Sequence, residues 1–166
     1  HSDKGQYSMS VTVGDEILFT ALASIFDQSF LFATDVEGNG VKGLPRQRAT
    51  NFWAERSPDG SKLVYSSAPG VDWDIRLSNA DGTEEARLTH TDAAESFVSW
   101  GPEGTRLVFV SDRDENDEIY IMNGDGSGVQ RLTSTEASES APQISPDGTR
   151  ILFASDVDDN PDIYVM

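Results

Sequence analysis

The chain has 166 residues, 29 acidic against 12 basic, and a formal net charge of -17. That charge argues against nucleic acid and anionic membrane surfaces, which attract Lys and Arg, and it admits basic partners or cations. Cysteine is absent, so disulfides, thiolate metal sites and cysteine nucleophiles are excluded. No apolar run approaches the roughly 20 residues of a membrane helix, and no signal-peptide pattern is visible. His1 in place of Met is expected of a processed, trimmed or tagged product.

From the N-terminus, strands are expected at residues 7–13, around Ile17-Leu18-Phe19, at Leu31-Phe32, and after the Gly-rich turn that leads to Val41. The pattern then returns every 44 residues. Ser57-Pro58-Asp59-Gly60 recurs as Gly101-Pro102-Glu103-Gly104 and as Ser145-Pro146-Asp147-Gly148, Asn79-Ala80-Asp81-Gly82 as Asn123-Gly124-Asp125-Gly126, and Arg87-Leu88-Thr89 as Arg131-Leu132-Thr133. A period of this size is one supersecondary unit used several times, each copy burying its apolar faces against its neighbours.

In the third copy the short apolar runs are 96–100, 106–110, 118–122 and 129–133, rich in β-branched and aromatic residues and bounded by Gly, Pro, Asp or Asn. No stretch shows a sustained helical period. Residues 107–110 are apolar without alternation, as in a strand buried on both faces. A four-stranded antiparallel sheet covered on both sides and repeated at this spacing is a propeller blade. The chain is therefore expected to be one all-β domain, a β-propeller with blades at about 7–50, 51–94, 95–138 and 139–166, the last stopping after its third strand. Leu63, Leu107, Ile151, Tyr65, Phe109 and Phe153 are predicted to be buried. The Pro-Asp-Gly and Asp-Gly segments are structural turns, in which Pro presets φ and Gly supplies a positive φ.

The run from Ser145-Pro146-Asp147-Gly148 to Ser155-Asp156, with Asp162-Ile163-Tyr164-Val165-Met166, Glu118-Ile119-Tyr120-Ile121-Met122 and Arg131-Leu132-Thr133, resembles the TolB-type propeller repeat, clearly over residues 51–166 and loosely over 13–50. The resemblance implies a noncatalytic, periplasmic or extracellular propeller that binds protein or peptide on its acidic loop face or in its central channel. Similar blades also form the substrate-gating propellers of prolyl-oligopeptidase-like and tricorn-like peptidases. A carbohydrate-binding or metal-dependent propeller is a further alternative.

Little else in the sequence suggests catalysis. Gly124-Asp125-Gly126-Ser127-Gly128 lies in a hairpin turn and not at a nucleophile elbow. His1 and His90 are the sole histidines, and His90 falls in a loop. The acidic runs 112–118 and 156–162 offer oxygen ligands, but they fail the EF-hand pattern and read as loops capped by their own side chains. No cofactor is expected, with calcium the alternative.

Alternating strand direction puts the variable loops on one face. The candidate binding residues there are Trp73, Asp112, Asp114, Asp117, Asp156, Asp158 and Asp159. Trp73 is either an anchor for a partner or a ring folded over a neighbouring blade. Asp92, Glu95, Glu136 and Glu139 are also assigned to this solvated face, so Glu139→Ala is expected to change stability by less than about 0.5 kcal/mol. The expected partner is a basic protein or peptide. The unpaired edge at residues 162–166 predicts self-association or membership of a larger propeller.

Overall fold

The structure, a computed structural model, describes residues 7–11, 16–23, 28–35, 37–43, 50–68, 73–158 and 160–166. Val13, residues 1–6, the loop from Pro69 to Asp72 and Asp159 lie outside the described residues.

Four antiparallel meanders follow one another along the chain. Blade one holds β1 (Tyr7–Val11), β2 (Glu16–Ala23), β3 (Gln28–Asp35) and β4 (Lys42–Gly43). Blade two holds β5 (Thr50–Arg56), β6 (Lys62–Ala68), β7 (Asp74–Asn79) and β8 (Ala86–Arg87). Blade three holds β9 (Glu95–Trp100), β10 (Arg106–Ser111), β11 (Glu118–Asn123) and β12 (Gln130–Arg131). Blade four holds β13 (Glu139–Ile144), β14 (Ile151–Ser155) and β15 (Asp162–Val165). No helix occurs among the described residues. The first strands of neighbouring blades adjoin, β5 with β9 and β9 with β13, which is the all-β propeller architecture expected from the repeat.

The turns form as their residues dictate. Gly60, Gly104 and Gly148 have φ of 73°, 66° and 72°, and their N–H groups donate to Ser57, Gly101 and Ser145 carbonyls at 2.8, 2.9 and 2.8 Å. The outer strands are shorter than expected, two residues in place of 129–133, because the following threonine changes the ladder. Leu132 N–H donates to the Ile119 carbonyl at 2.8 Å, but the Ile119 N–H donates to the Thr133 hydroxyl at 2.8 Å. Blade two repeats this exchange, Ile75 N–H donating to Thr89 Oγ1 at 2.9 Å.

The core lies between blades. Residues 107–110 are all at most 1% exposed, and Val64, Ile75, Leu88, Val98 and Trp100 pack with Leu107 and Phe109. Leu63, Leu107, Tyr65, Phe109 and Phe153 are buried as expected. Ile151 is not: it is half-buried, and its neighbour Leu152 is 45% exposed, because no blade covers the far side of blade four among the described residues.

Each of the first strands in blades two to four carries a register shift: between Phe52 and Glu55, opposite Val108 and Val110, and between Ser140 and Gln143. Trp53, Phe97 and Ala141 sit at these bulges with φ of 51°, 50° and 50°. Non-glycine residues rarely adopt that region, and bulges of this kind re-aim a side chain.

Candidate binding face

Strand alternation sets the loops between second and third strands, and the connections to the next blade, on one face. Trp73 lies there immediately before β7. It is half-buried, its ring centroid is 6.2 Å from that of Trp53, and Trp53 is 4.2 Å from Phe97 at 39°. Its carbonyl accepts the Glu95 N–H at 2.8 Å. Three aromatic rings from blades two and three thus form one group next to the innermost strands. Trp53 and Phe97 escape a reading by residue type, since nothing in their sequence marks a bulge. The signal that could find them is their spacing of one period.

The acidic loop residues bind the neighbouring connection or the strands that follow them. Asp112 Oδ1 accepts the Ala94 N–H at 2.8 Å and Asp156 Oδ1 the Ser138 N–H at 2.7 Å. Asp114 accepts the Tyr120 hydroxyl and pairs with Arg131 Nη1 at 3.1 Å. Asp158 Oδ2 accepts the Tyr164 hydroxyl at 3.0 Å. Partial desolvation, then the Asp112 charge, raises the Asp117 carboxyl above its ordinary value. Among the described residues, no three His, Cys, Asp or Glu side chains are grouped to hold a metal ion.

Glu95 and Glu139 do not belong to the solvated face. They are 0% and 1% exposed, whereas Asp92 and Glu136 are exposed. Glu95 Oε1 accepts from Thr91 Oγ1 at 2.5 Å and Arg113 Nη2 at 3.0 Å, and Glu139 Oε1 from Thr135 Oγ1 at 2.8 Å and Ser155 Oγ at 3.1 Å. Removing Glu139 leaves the buried Ser155 hydroxyl without its acceptor, so Glu139→Ala is expected to cost about 1–3 kcal/mol, not less than about 0.5.

Blades two and three each also have an arginine clasp. Arg87 and Arg131 Nε both donate to the carbonyl two residues on, at 2.6 Å, while Nη2 reaches the acid that heads the third strand, Asp74 at 2.6 Å and Glu118 at 2.6 Å. Across β5 and β9, Glu55 Oε2 accepts the Trp100 N–H at 3.2 Å. Burial raises the Glu55 carboxyl, against bonds from Ser99 and Trp100 that lower it.

A family model described as the TolB beta propeller domain matches residues 19–166. The chain is 34% identical over 68 residues to the Tol-Pal system protein TolB of Mannheimia succiniciproducens, a stretch covering 39% of this chain and 16% of that protein. A TolB-type structure from Agrobacterium tumefaciens superposes with a TM-score of 0.84 at 24% identity, over 92% of this chain and 57% of that one. A puromycin-hydrolysing peptidase of Mycobacterium tuberculosis superposes at 0.75 and 14% identity, over 97% and 29%. At these identities the two structures report the fold alone. The chain spans less than two thirds of each of these relatives.

Proposed function

The chain belongs to the TolB β-propeller family, and on that premise we propose that it is a noncatalytic module that binds a basic protein or peptide on its loop face, at the mouth of the channel. The observation that carries this reading is the aromatic group of Trp53, Trp73 and Phe97. It sits on the face whose loops differ between blades, while the opposite face repeats the same turns. Large rings held on a rigid scaffold are favourable anchors, and the exposed acids of the same loop face, Asp92, Asp112, Asp117 and Glu136, suit the cationic rim of a partner. Variable loops on a rigid framework are where binding groups concentrate. TolB homologues are periplasmic proteins. The proposal requires no cofactor.

Calorimetric titration with extended peptides that alternate Lys or Arg with Tyr or Leu tests this reading. Saturable binding is expected, weakened about tenfold or more by Trp73→Ala, a loss typical of a buried interface anchor, and weakened by added salt. Binding that Trp73→Ala leaves intact, or cleavage of the peptide, overturns it.

A further inference from the structure

Two joints between blades, one period apart, have matched carboxylates but unmatched cations. Where blade two meets blade three, Asp74 and Glu95 are 3% and 0% exposed. Arg87 Nη2 lies 2.6 Å from Asp74 and Arg113 Nη2 lies 3.0 Å from Glu95, so two acids face two guanidinium groups. Where blade three meets blade four, Glu118 and Glu139 are 0% and 1% exposed. Arg131 serves Glu118 at 2.6 Å, but Val157 stands one period after Arg113. Glu139 is left with two hydroxyl donors, Thr135 and Ser155.

Thr135 draws the two acids together. Its N–H donates to Glu118 Oε1 at 2.9 Å and its hydroxyl to Glu139 Oε1 at 2.8 Å. The other oxygen of each carboxyl, Oε2, is buried and receives no donor among the described residues, as is also true of Glu95; what sets this joint apart is that one residue, Thr135, donates to both carboxyls while a single guanidinium, that of Arg131, serves the pair. A hydrogen bond between two carboxyl groups requires a proton, and two like charges in such a site cannot both ionise freely.

We propose that Glu118 and Glu139 bind one proton between them at neutral pH, carried on Glu139 and donated to Glu118, and that this proton fastens blade four to blade three. Burial, opposed by the Thr135 bond and reinforced by the Glu118 charge, holds the Glu139 carboxyl above its ordinary value. Burial acts on Glu118 in the same direction but is outweighed by donation from Thr133, Arg131 and Thr135, which holds it below. The surrounding charge favours the proton. Arg131 is the cation at the pair; Asp112, Asp114 and Asp117 precede β11, Glu136 lies in the connecting loop, Asp156 follows β14, and Asp162 in β15 pairs in register with Ser155.

The sign follows from linkage. A folded-state value for Glu139 above that of the unfolded chain means the folded protein binds more protons in the window between them. The contribution is complete below the unfolded value and is lost as pH rises through the folded one. The Glu139 N–H holds the Asp117 carbonyl at 2.9 Å, so repulsion at the pair loosens the start of β13.

Infrared difference spectroscopy of the whole chain at neutral pH tests the proposal. The expected result is a carboxylic-acid carbonyl band equivalent to one group per chain, absent from Glu139→Gln and absent from Val157→Arg, which restores the cation found at the preceding joint. Protection from hydrogen exchange in β13, taken relative to the intrinsic base-catalysed rate, should fall with rising pH in the parent chain and stay level in Glu139→Gln. Val157 is 51% exposed, so Val157→Arg keeps the test open where Glu139→Gln fails to fold. A folded parent chain with the same carboxylic-acid band as both variants overturns the proposal.

Discussion

Phe109 in β10 and Phe153 in β14 occupy the same place in successive blades, and each stacks on the tyrosine of the next strand, at 5.7 Å on Tyr120 and 5.9 Å on Tyr164. Their surroundings then diverge. Over the blade-three pair lies Arg113, 4.7 Å from the Tyr120 ring and 5.6 Å from Phe109, while blade four has Val157 at that position. Ile119 is 0% exposed and its equivalent Ile163 is 68% exposed, and Met122 at 1% corresponds to Met166 at 42%. Identical register and similar side chains therefore bury to different extents, because burial here is supplied by the neighbouring blade and outer strand and not by the strand itself.

The largest effect that can break this comparison is a cavity. Phe109→Ala is expected to cost about 3–5 kcal/mol, since the site is closed on all sides and cannot collapse. Phe153→Ala is expected to cost less, as its ring is 9% exposed where Phe109 is 0% exposed and its partner Tyr164 is only half-buried. Urea unfolding of both variants measures the difference. Equal losses would mean that blade four is covered as fully as blade three.

The residues that were legible beforehand are those whose partners lie close in sequence. A Pro-Asp-Gly turn contains its own φ preference and its own acceptor, so the turns and the 44-residue period could be read directly. Glu95 and Glu139 were not legible as buried groups. Their partners stand 4 residues before, 16 after and, for Glu95, 18 after, and they converge only once the blade has folded. Read singly, a glutamate belongs to solvent. The recurrence of Thr91, Glu95 and Ser111 as Thr135, Glu139 and Ser155 was the available signal. Trp73 could be named from residue type, but the strained bulge that brings Trp53 beside it has no glycine to betray it.

A second, smaller effect concerns the edge of blade four. Ile163 and Val165 are 68% and 57% exposed on β15, and a groove of about 600 Å³ lined by Pro102, Ile121, Leu132, Ile144, Ile151 and Met166 runs between blades three and four. An apolar strand edge invites pairing with another strand. The 166-residue chain is expected to gain mass in light scattering as its concentration rises, and Ile163→Lys is expected to reduce that gain. A mass independent of concentration would show that the edge is inert, despite its difference from β11.

The smallest effect separates the turns of the two blades. Blade three closes its turn with Gly101 and Glu103, whereas blade four uses Ser145 and Asp147, and the aspartate accepts from Ser145 Oγ at 2.6 Å, Thr149 N at 3.0 Å and Thr149 Oγ1 at 2.8 Å. The Ser145 bond, followed by those from Thr149, lowers the Asp147 carboxyl to about 2. A depressed folded-state value means that the unfolded chain binds more protons as the solution is acidified. The contribution is present above the ordinary value of 3.8 and is lost as pH falls through about 2. The group is open to solvent, so the effect is screened by salt. In urea titrations repeated through this acid range, Asp147→Asn and Ser145→Ala should each flatten the fall in stability by a small, similar amount. A parent-like slope in both variants would show that the clasp shapes the turn without contributing to stability, leaving the serine-free turn of blade three its equal.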